Sequence, residues 1–302
     1  MKDEEYKDFE HTNEIWTWVE KAGEFVFEKD RLEYVVAGDT DSAMLKFPPS
    51  IHFESPEEMV EIADEIGNMT NESFSSWAKH AFNIPEERTG VLQTDREIVA
   101  DAAFFVSKKR YVMHVINDEG KPSDKLKIMG LEVKRSDTPS IVQEYLTDLI
   151  NMILDDKSAD EIKEEIVKMK DNYSKVDLKD IARPMSCKGL KIYQDKFEKT
   201  GSTKGFPYQV RAAMFYNSLC GPSDKKIKAG EKIGILYIKD PRSKYIAFPS
   251  ESNTLPEFVY DMVIDYDTQW QKVEKKIISY LKAMGYDFDS QKAAVREELF
   301  GF

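Results

Sequence analysis

Residues 31–47 carry two short β-prone runs, Arg31-Leu32-Glu33-Tyr34-Val35-Val36-Ala37 and Ser42-Ala43-Met44-Leu45-Lys46-Phe47, on either side of Gly38-Asp39-Thr40-Asp41. Two such runs around a Gly/Asp turn predict a β-hairpin. Ser55-Pro56-Glu57-Glu58 then offers a capping hydroxyl, a first-turn proline and first-turn acids, and Met59, Val60, Ile62, Ala63 and Ile66 follow at helical spacing. Residues 91–98, 102–106, 110–116 and 125–133 are β-leaning, broken by segments such as Asp118-Glu119-Gly120-Lys121-Pro122. They predict an antiparallel sheet with a covering helix. From Ser140 the pattern turns helical: Ile141, Val142, Tyr145, Leu146, Leu149, Ile150 and Ile153, then Ile162, Ile166 and Met169. The next stretch reads as loop-rich, with Gly189, Gly201, Gly205, Pro207, Gly221 and Pro222, and leads to a strand-like pair at 232–238 and 245–248. Trp270, Val273, Ile277, Ile278, Leu281 and Met284 predict a last helix that Gly285 stops. The predicted fold class is α+β, a sheet-based part followed by a mostly helical one.

The 302 residues allow two domains with cores of their own, and 41% hydrophobic with 33% charged residues fits a folded chain rather than a disordered one. No apolar run approaches a membrane span, and the opening Met1-Lys2-Asp3-Glu4-Glu5 is acidic where a signal peptide would be basic. Cys187 and Cys220 are too few for a disulfide framework and lack metal-ligand spacing, so a reduced, cytoplasmic setting is expected. The net charge of -13 argues against nucleic-acid binding, but it hides an asymmetry. Within residues 183–244 fourteen Lys and Arg face five Asp and Glu, a net of +9, whereas Glu54, Glu57, Glu58, Glu61, Asp64 and Glu65 run without an intervening base. Composition alone leaves a phosphate track and an ordinary Lys-rich surface both open for the basic window.

Two short motifs carry candidate chemistry. Asp39 and Asp41 stand two residues apart at the hairpin tip, where hard oxygen ligands suit Mg²⁺ carrying substrate phosphates. Taken alone, such a doublet is more often a surface turn with Asx hydrogen bonds. It is not an EF-hand, because Ala43 and Leu45 occupy ligand positions. Some seventy residues on, Lys108-Lys109-Arg110-Tyr111 joins three cations and an aromatic at the start of a strand. That combination attracts phosphate and adds a flat hydrogen-bonding side chain, although a basic run also protects edge strands.

In order along the chain, these segments resemble the C-terminal part of a family B DNA polymerase, in particular the replicative polymerases of T-even-like phages. Val36-Ala37-Gly38-Asp39-Thr40-Asp41-Ser42 resembles the palm motif C hairpin, and Thr94-Asp95-Arg96-Glu97 with Lys108-Lys109-Arg110-Tyr111 resembles the later palm and its KKRY motif. Lys125-Leu126-Lys127-Ile128-Met129-Gly130-Leu131-Glu132 and the segment from Ser136 to Glu144 are similar to the passage from palm to thumb. Tyr245-Ile246-Ala247-Phe248-Pro249-Ser250 resembles a thumb segment, and Leu299-Phe300-Gly301 resembles a clamp-docking tail. The resemblance implies a lead-in helix of the palm in 1–30, the C-terminal palm in 31–130, a thumb in 131–295 and a clamp-binding tail in 296–302 with Leu299, Phe300 and Phe302. It implies that Asp41 ligates the catalytic Mg²⁺ ions with Asp39 in support. Lys108, Lys109, Arg110 and Tyr111 would serve the primer-template DNA, and Lys188, Lys204 and Arg211 the duplex backbone in the thumb.

Motif A, the fingers and the editing exonuclease find no counterpart ahead of motif C. Two-metal transfer needs carboxylates from both sides of the metals. The expectation is therefore a split polymerase for phage DNA replication, inactive alone, whose N-terminal partner chain supplies those parts, with deoxynucleoside triphosphates as substrates and a sliding clamp as a further partner. The alternative from another class is a non-catalytic DNA- and clamp-binding protein derived from a thumb. His11, His52, His80 and His114 are scattered and read as structural or surface residues.

Overall fold

The computed structural model describes residues 14–21, 24–31, 35–39, 41–48, 51–252 and 254–285. Its backbone is mixed α and β, with small antiparallel sheets and helices, as the pattern predicts. It divides into two compact units, Met1–Val99 and Ala100–Phe302.

In the first unit β1 (Glu14–Lys21) pairs antiparallel with β2 (Glu24–Arg31), Lys21 facing Glu24. The lead-in helix expected within 1–30 is thus corrected over these residues to a strand pair. Ile15 and Val19 are helically spaced, but they stand among Trp16, Thr17 and Trp18, and Phe25-Val26-Phe27 follows, so each run has an aromatic and β-branched stretch that suits a strand. A second pair, β3 (Val35–Asp39) and β4 (Ser42–Leu45), is the predicted hairpin. Helix α1 (Pro56–Phe82) starts where predicted: the Ser55 hydroxyl accepts from the Glu58 N–H at 3.2 Å, and Asn83 closes the helix in the left-handed conformation. Residues 91–97, expected in a strand, are not in one. The Asn71 side chain takes over a neighbouring strand's part, accepting from the Thr94 N–H at 2.7 Å and donating to its carbonyl at 3.0 Å, while Arg96 pairs with Asp64.

The second unit opens with the meander β5 (Ile98–Ser107), β6 (Arg110–Asp118) and β7 (Lys121–Met129). Glu119 and Gly120, both at positive φ, form the turn between β6 and β7, and the Asn117 side chain accepts from the Gly120 N–H at 3.0 Å. Helices α2 (Ser140–Leu154) and α3 (Ala159–Tyr173) bury the stripes their spacing predicts, Val142, Tyr145, Leu146, Leu149 and Ile150 on one and Ile162, Ile166, Met169 and Tyr173 on the other. After the short α4 (Leu178–Ile181) comes β8 (Arg183–Ser186), which joins β9 (Lys232–Asp240) and β10 (Ser243–Pro249) in a sheet ordered β10-β9-β8. The stretch read as loop-rich holds two helices, α5 (Leu190–Thr200) and α6 (Tyr208–Leu219). Gly189 and Gly201 stand at its two ends in left-handed conformations and bound α5 rather than break it. The turn α7 (Glu257–Tyr260) precedes α8 (Tyr266–Ala283), after which Gly285 follows at φ 90°. One continuous apolar core joins Phe104 and Val112 of the meander to α2, α3, the β9 sheet and Trp270, Val273 and Ile277 of α8.

Candidate functional site

In the β3–β4 hairpin Asp39 pairs with Ser42, which leaves Asp41 in the turn, exposed. The register skips one residue between Val35 and Ala37, so Val36 forms a bulge two residues before Gly38. Hydrogen-bonded strands on both sides thus hold the Asp41 backbone at the tip. Asp39 ends β3; its side chain lies outside the described residues. Among the described residues no group of three or more Asp, Glu, His or Cys is arranged to hold a metal by itself. Carboxylate oxygens are donors of the kind a hard cation takes, and a complete shell would need further oxygens besides those of the hairpin.

The Lys108-Lys109-Arg110-Tyr111 motif forms the turn from β5 to β6 in the second unit. Lys108 and Lys109 are exposed, and Lys109 adopts the left-handed conformation at φ 61°. Tyr111 is half-buried, its ring 5.5 Å from that of Phe105. Arg110 is committed inward: its Nη2 donates to Glu132 Oε2 at 2.6 Å and Oε1 at 2.8 Å. The four residues therefore divide into two exposed cations, one aromatic and one cation engaged by a carboxylate.

Lys188, Lys204 and Arg211 lie on the α5–α6 pair and its approaches, all exposed. Lys188 precedes α5, in a segment pinned by hydrogen bonds between Cys187 and residues 230 and 231. Burial pushes the Cys187 thiol up to about 11 and keeps it protonated. Lys204 is in the α5–α6 connection, and Arg211, in the first turn of α6, sits 5.8 Å from the centroid of the Tyr245 ring. Sequence reasoning missed the surroundings of Arg211. Tyr245 packs against Tyr208 and Tyr237 at 5.4 and 5.1 Å, and Lys272 of α8 lies 5.9 Å from the Tyr237 ring. These aromatics come from three elements, so no local spacing marks them. Nearby, Arg183 donates to Asp137 at 2.8 Å and Arg135 at 3.0 Å, and the two guanidiniums, Arg183 first, hold the Asp137 carboxyl below its ordinary value. The tail residues Leu299, Phe300 and Phe302 lie outside the described residues. No helix among the described residues is long and apolar enough to cross a membrane.

The acidic hairpin tip, the basic turn and the Lys-rich segment 183–244 all belong to a chain that the model of DNA polymerase family B matches over residues 6–284. The chain belongs to that family. It is 27% identical over 295 residues to the DNA-directed DNA polymerase of Enterobacteria phage T4, a match covering 89% of this chain and 32% of that protein. It is 25% identical over 315 residues to the DNA-directed DNA polymerase of Escherichia phage RB69, covering 94% of this chain and 34% of that protein. The chain thus spans roughly a third of the length of these curated relatives.

Proposed function

We propose that this chain supplies motif C (with 31–130 as C-terminal palm) and the thumb (131–295) of a DNA-directed DNA polymerase. In this reading it performs template-directed nucleotidyl transfer when paired with a second chain carrying motif A, the fingers and the exonuclease. The observation that carries the reading is Asp41 held in a hydrogen-bonded hairpin turn within a chain of family B. Asp41, supported by Asp39, would hold Mg²⁺, which when bound neutralises triphosphate charge and activates the attacking hydroxyl. Lys108, Lys109 and Tyr111 would meet the primer end from the minor-groove side, where correct pairs share acceptors. Lys188, Lys204 and Arg211 would neutralise backbone phosphates. In support of a palm completed from outside, the described part of the first unit buries only Ala78 and Val99 fully, while Val35, Leu45, Met69, Trp77 and Phe82 stay exposed. In this reading these side chains belong to the surface that the second chain covers.

The test is primer extension with Mg²⁺ and four deoxynucleotides, using this chain alone, the pair with the N-terminal chain, and the pair with Asp41→Ala. Activity confined to the wild-type pair is expected, with Asp41→Ala lower by roughly a thousandfold, the scale of several kcal/mol of lost charge stabilisation. Full activity of the Asp41→Ala pair would remove Asp41 from the chemistry. No activity in any mixture, despite a formed complex and bound DNA, would favour the non-catalytic DNA-binding reading.

A further inference from the structure

The end of β7 supports the basic turn from beneath. Gly130 has φ 63°, and a Cβ there would stand 2.2 Å from the Lys109 carbonyl oxygen and 3.2 Å from Arg110 Cγ. The backbone oxygen cannot yield as a flexible side chain could, so the turn keeps its place only over a glycine. Two residues further on, Glu132 takes the Arg110 guanidinium, with the two side chains 28% and 17% exposed. Partial burial makes this pair sturdier than a surface ion pair, and removing one partner would leave the other poorly solvated.

Glu132 also sits among groups of α8. Its charge raises the Tyr280 hydroxyl, after burial, and opposes the lowering that burial imposes on the Lys276 ammonium. Lys276 in turn donates to the Thr138 hydroxyl at 3.2 Å. The carboxylate therefore lies where the basic turn, the β7 end and α8 converge.

We propose that Arg110 and Glu132 are positioning residues: their ion pair fastens the Lys108–Lys109 turn to the helical body, and Arg110 does not itself touch the nucleic acid. The inference rests on the reading that Lys108, Lys109 and Tyr111 contact a primer-template duplex. An arginine serving a phosphate or base edge presents its donors outward, whereas this guanidinium donates to both oxygens of a half-buried carboxylate.

The experiment measures the affinity of the full chain for a fluorescein-labelled primer-template duplex by anisotropy at fixed salt. Arg110→Glu is expected to weaken binding about tenfold, the scale of one lost contact. The exchange Arg110→Glu with Glu132→Arg, which restores the parent net charge and the ion pair, is expected to recover affinity to within about threefold. An exchange variant as weak as Arg110→Glu would mean that Arg110 touches the duplex and would overturn the proposal. Glu132→Gln keeps the shape and one acceptor and guards against misfolding. A loss of a few fold is expected from a chain that still melts well above the assay temperature, and parent affinity would overturn the positioning role. Lys108→Ala and Lys109→Ala separate this from the underlying reading. If neither weakens binding, the turn is no duplex contact and both fall, whereas weakened lysine variants with an unrescued exchange would sink only the positioning role.

Discussion

His114 illustrates how one residue acquires a role that its neighbours in sequence do not announce. On β6 its Nδ1 lies 2.7 Å from an Asp101 oxygen on β5 and its Nε2 lies 2.8 Å from an Asp124 oxygen on β7. Only the imidazolium can donate from both nitrogens, and the hydrogen bonds to Asp124, then Asp101, raise its pKa above the ordinary 6.5. Because the folded value exceeds the unfolded one, the stabilisation is fully present below about 6.5 and is lost as pH rises through the folded value. The melting temperature should therefore decline across that window, and His114→Gln should flatten the decline; identical pH profiles for the two proteins would show that the bridge adds nothing. Asp41 differs, since a Gly-Asp-Thr-Asp turn announces itself in the sequence. The commitment of Arg110 to Glu132 does not, because the partner stands 22 residues away, beyond the end of β7.

Elements are legible where local rules suffice. Ser158 and Glu161 form a reciprocal cap at the start of α3, the hydroxyl accepting from the Glu161 N–H at 3.3 Å and the carboxylate from the Ser158 N–H at 2.9 Å. Ser158→Ala should cost about 1 kcal/mol, read as a shift of the urea midpoint at unchanged slope. An unshifted midpoint would show that solvent replaces this exposed cap without loss. The β6–β7 turn was equally readable from Glu119-Gly120. Helices α5 and α6 were not, since their glycines and prolines look like breakers until one sees them at the boundaries. Nor was the strand pair β1–β2, where apolar spacing permits either period and pairing between strands decides.

At the scale of the molecule, the chain combines a net charge of -13 with a +9 segment that runs from β8 to the start of β10, half of its basic residues on α5, α6, β9 and β10 and the rest on β8 or in the connections. An acidic protein that binds DNA must do so through such a face, and its affinity must fall steeply with salt. For duplex DNA, Lys188→Ala, Lys204→Ala and Arg211→Ala should each lower the slope of log K against log salt by about 0.9 and weaken binding alike for all sequences. Unchanged slopes, measured by anisotropy from low to moderate salt, would take these residues off the phosphate track. The units also differ in how completely they fold upon themselves. The second encloses a large contiguous core, whereas the described part of the first buries little.

By itself the sequence determined the α+β class, the hairpin bearing Asp41, the basic turn and the stripes of α2, α3 and α8, because each depends on residues within a few positions of one another. Tertiary structure decided what depends on distant partners. Asn71 holds residue 94 out of a sheet, three tyrosines from α6, β9 and β10 gather beside Arg211, and Glu132 claims Arg110. Backbone periodicity encodes which face of an element is buried; which side chain meets which across the fold follows only once the elements have packed.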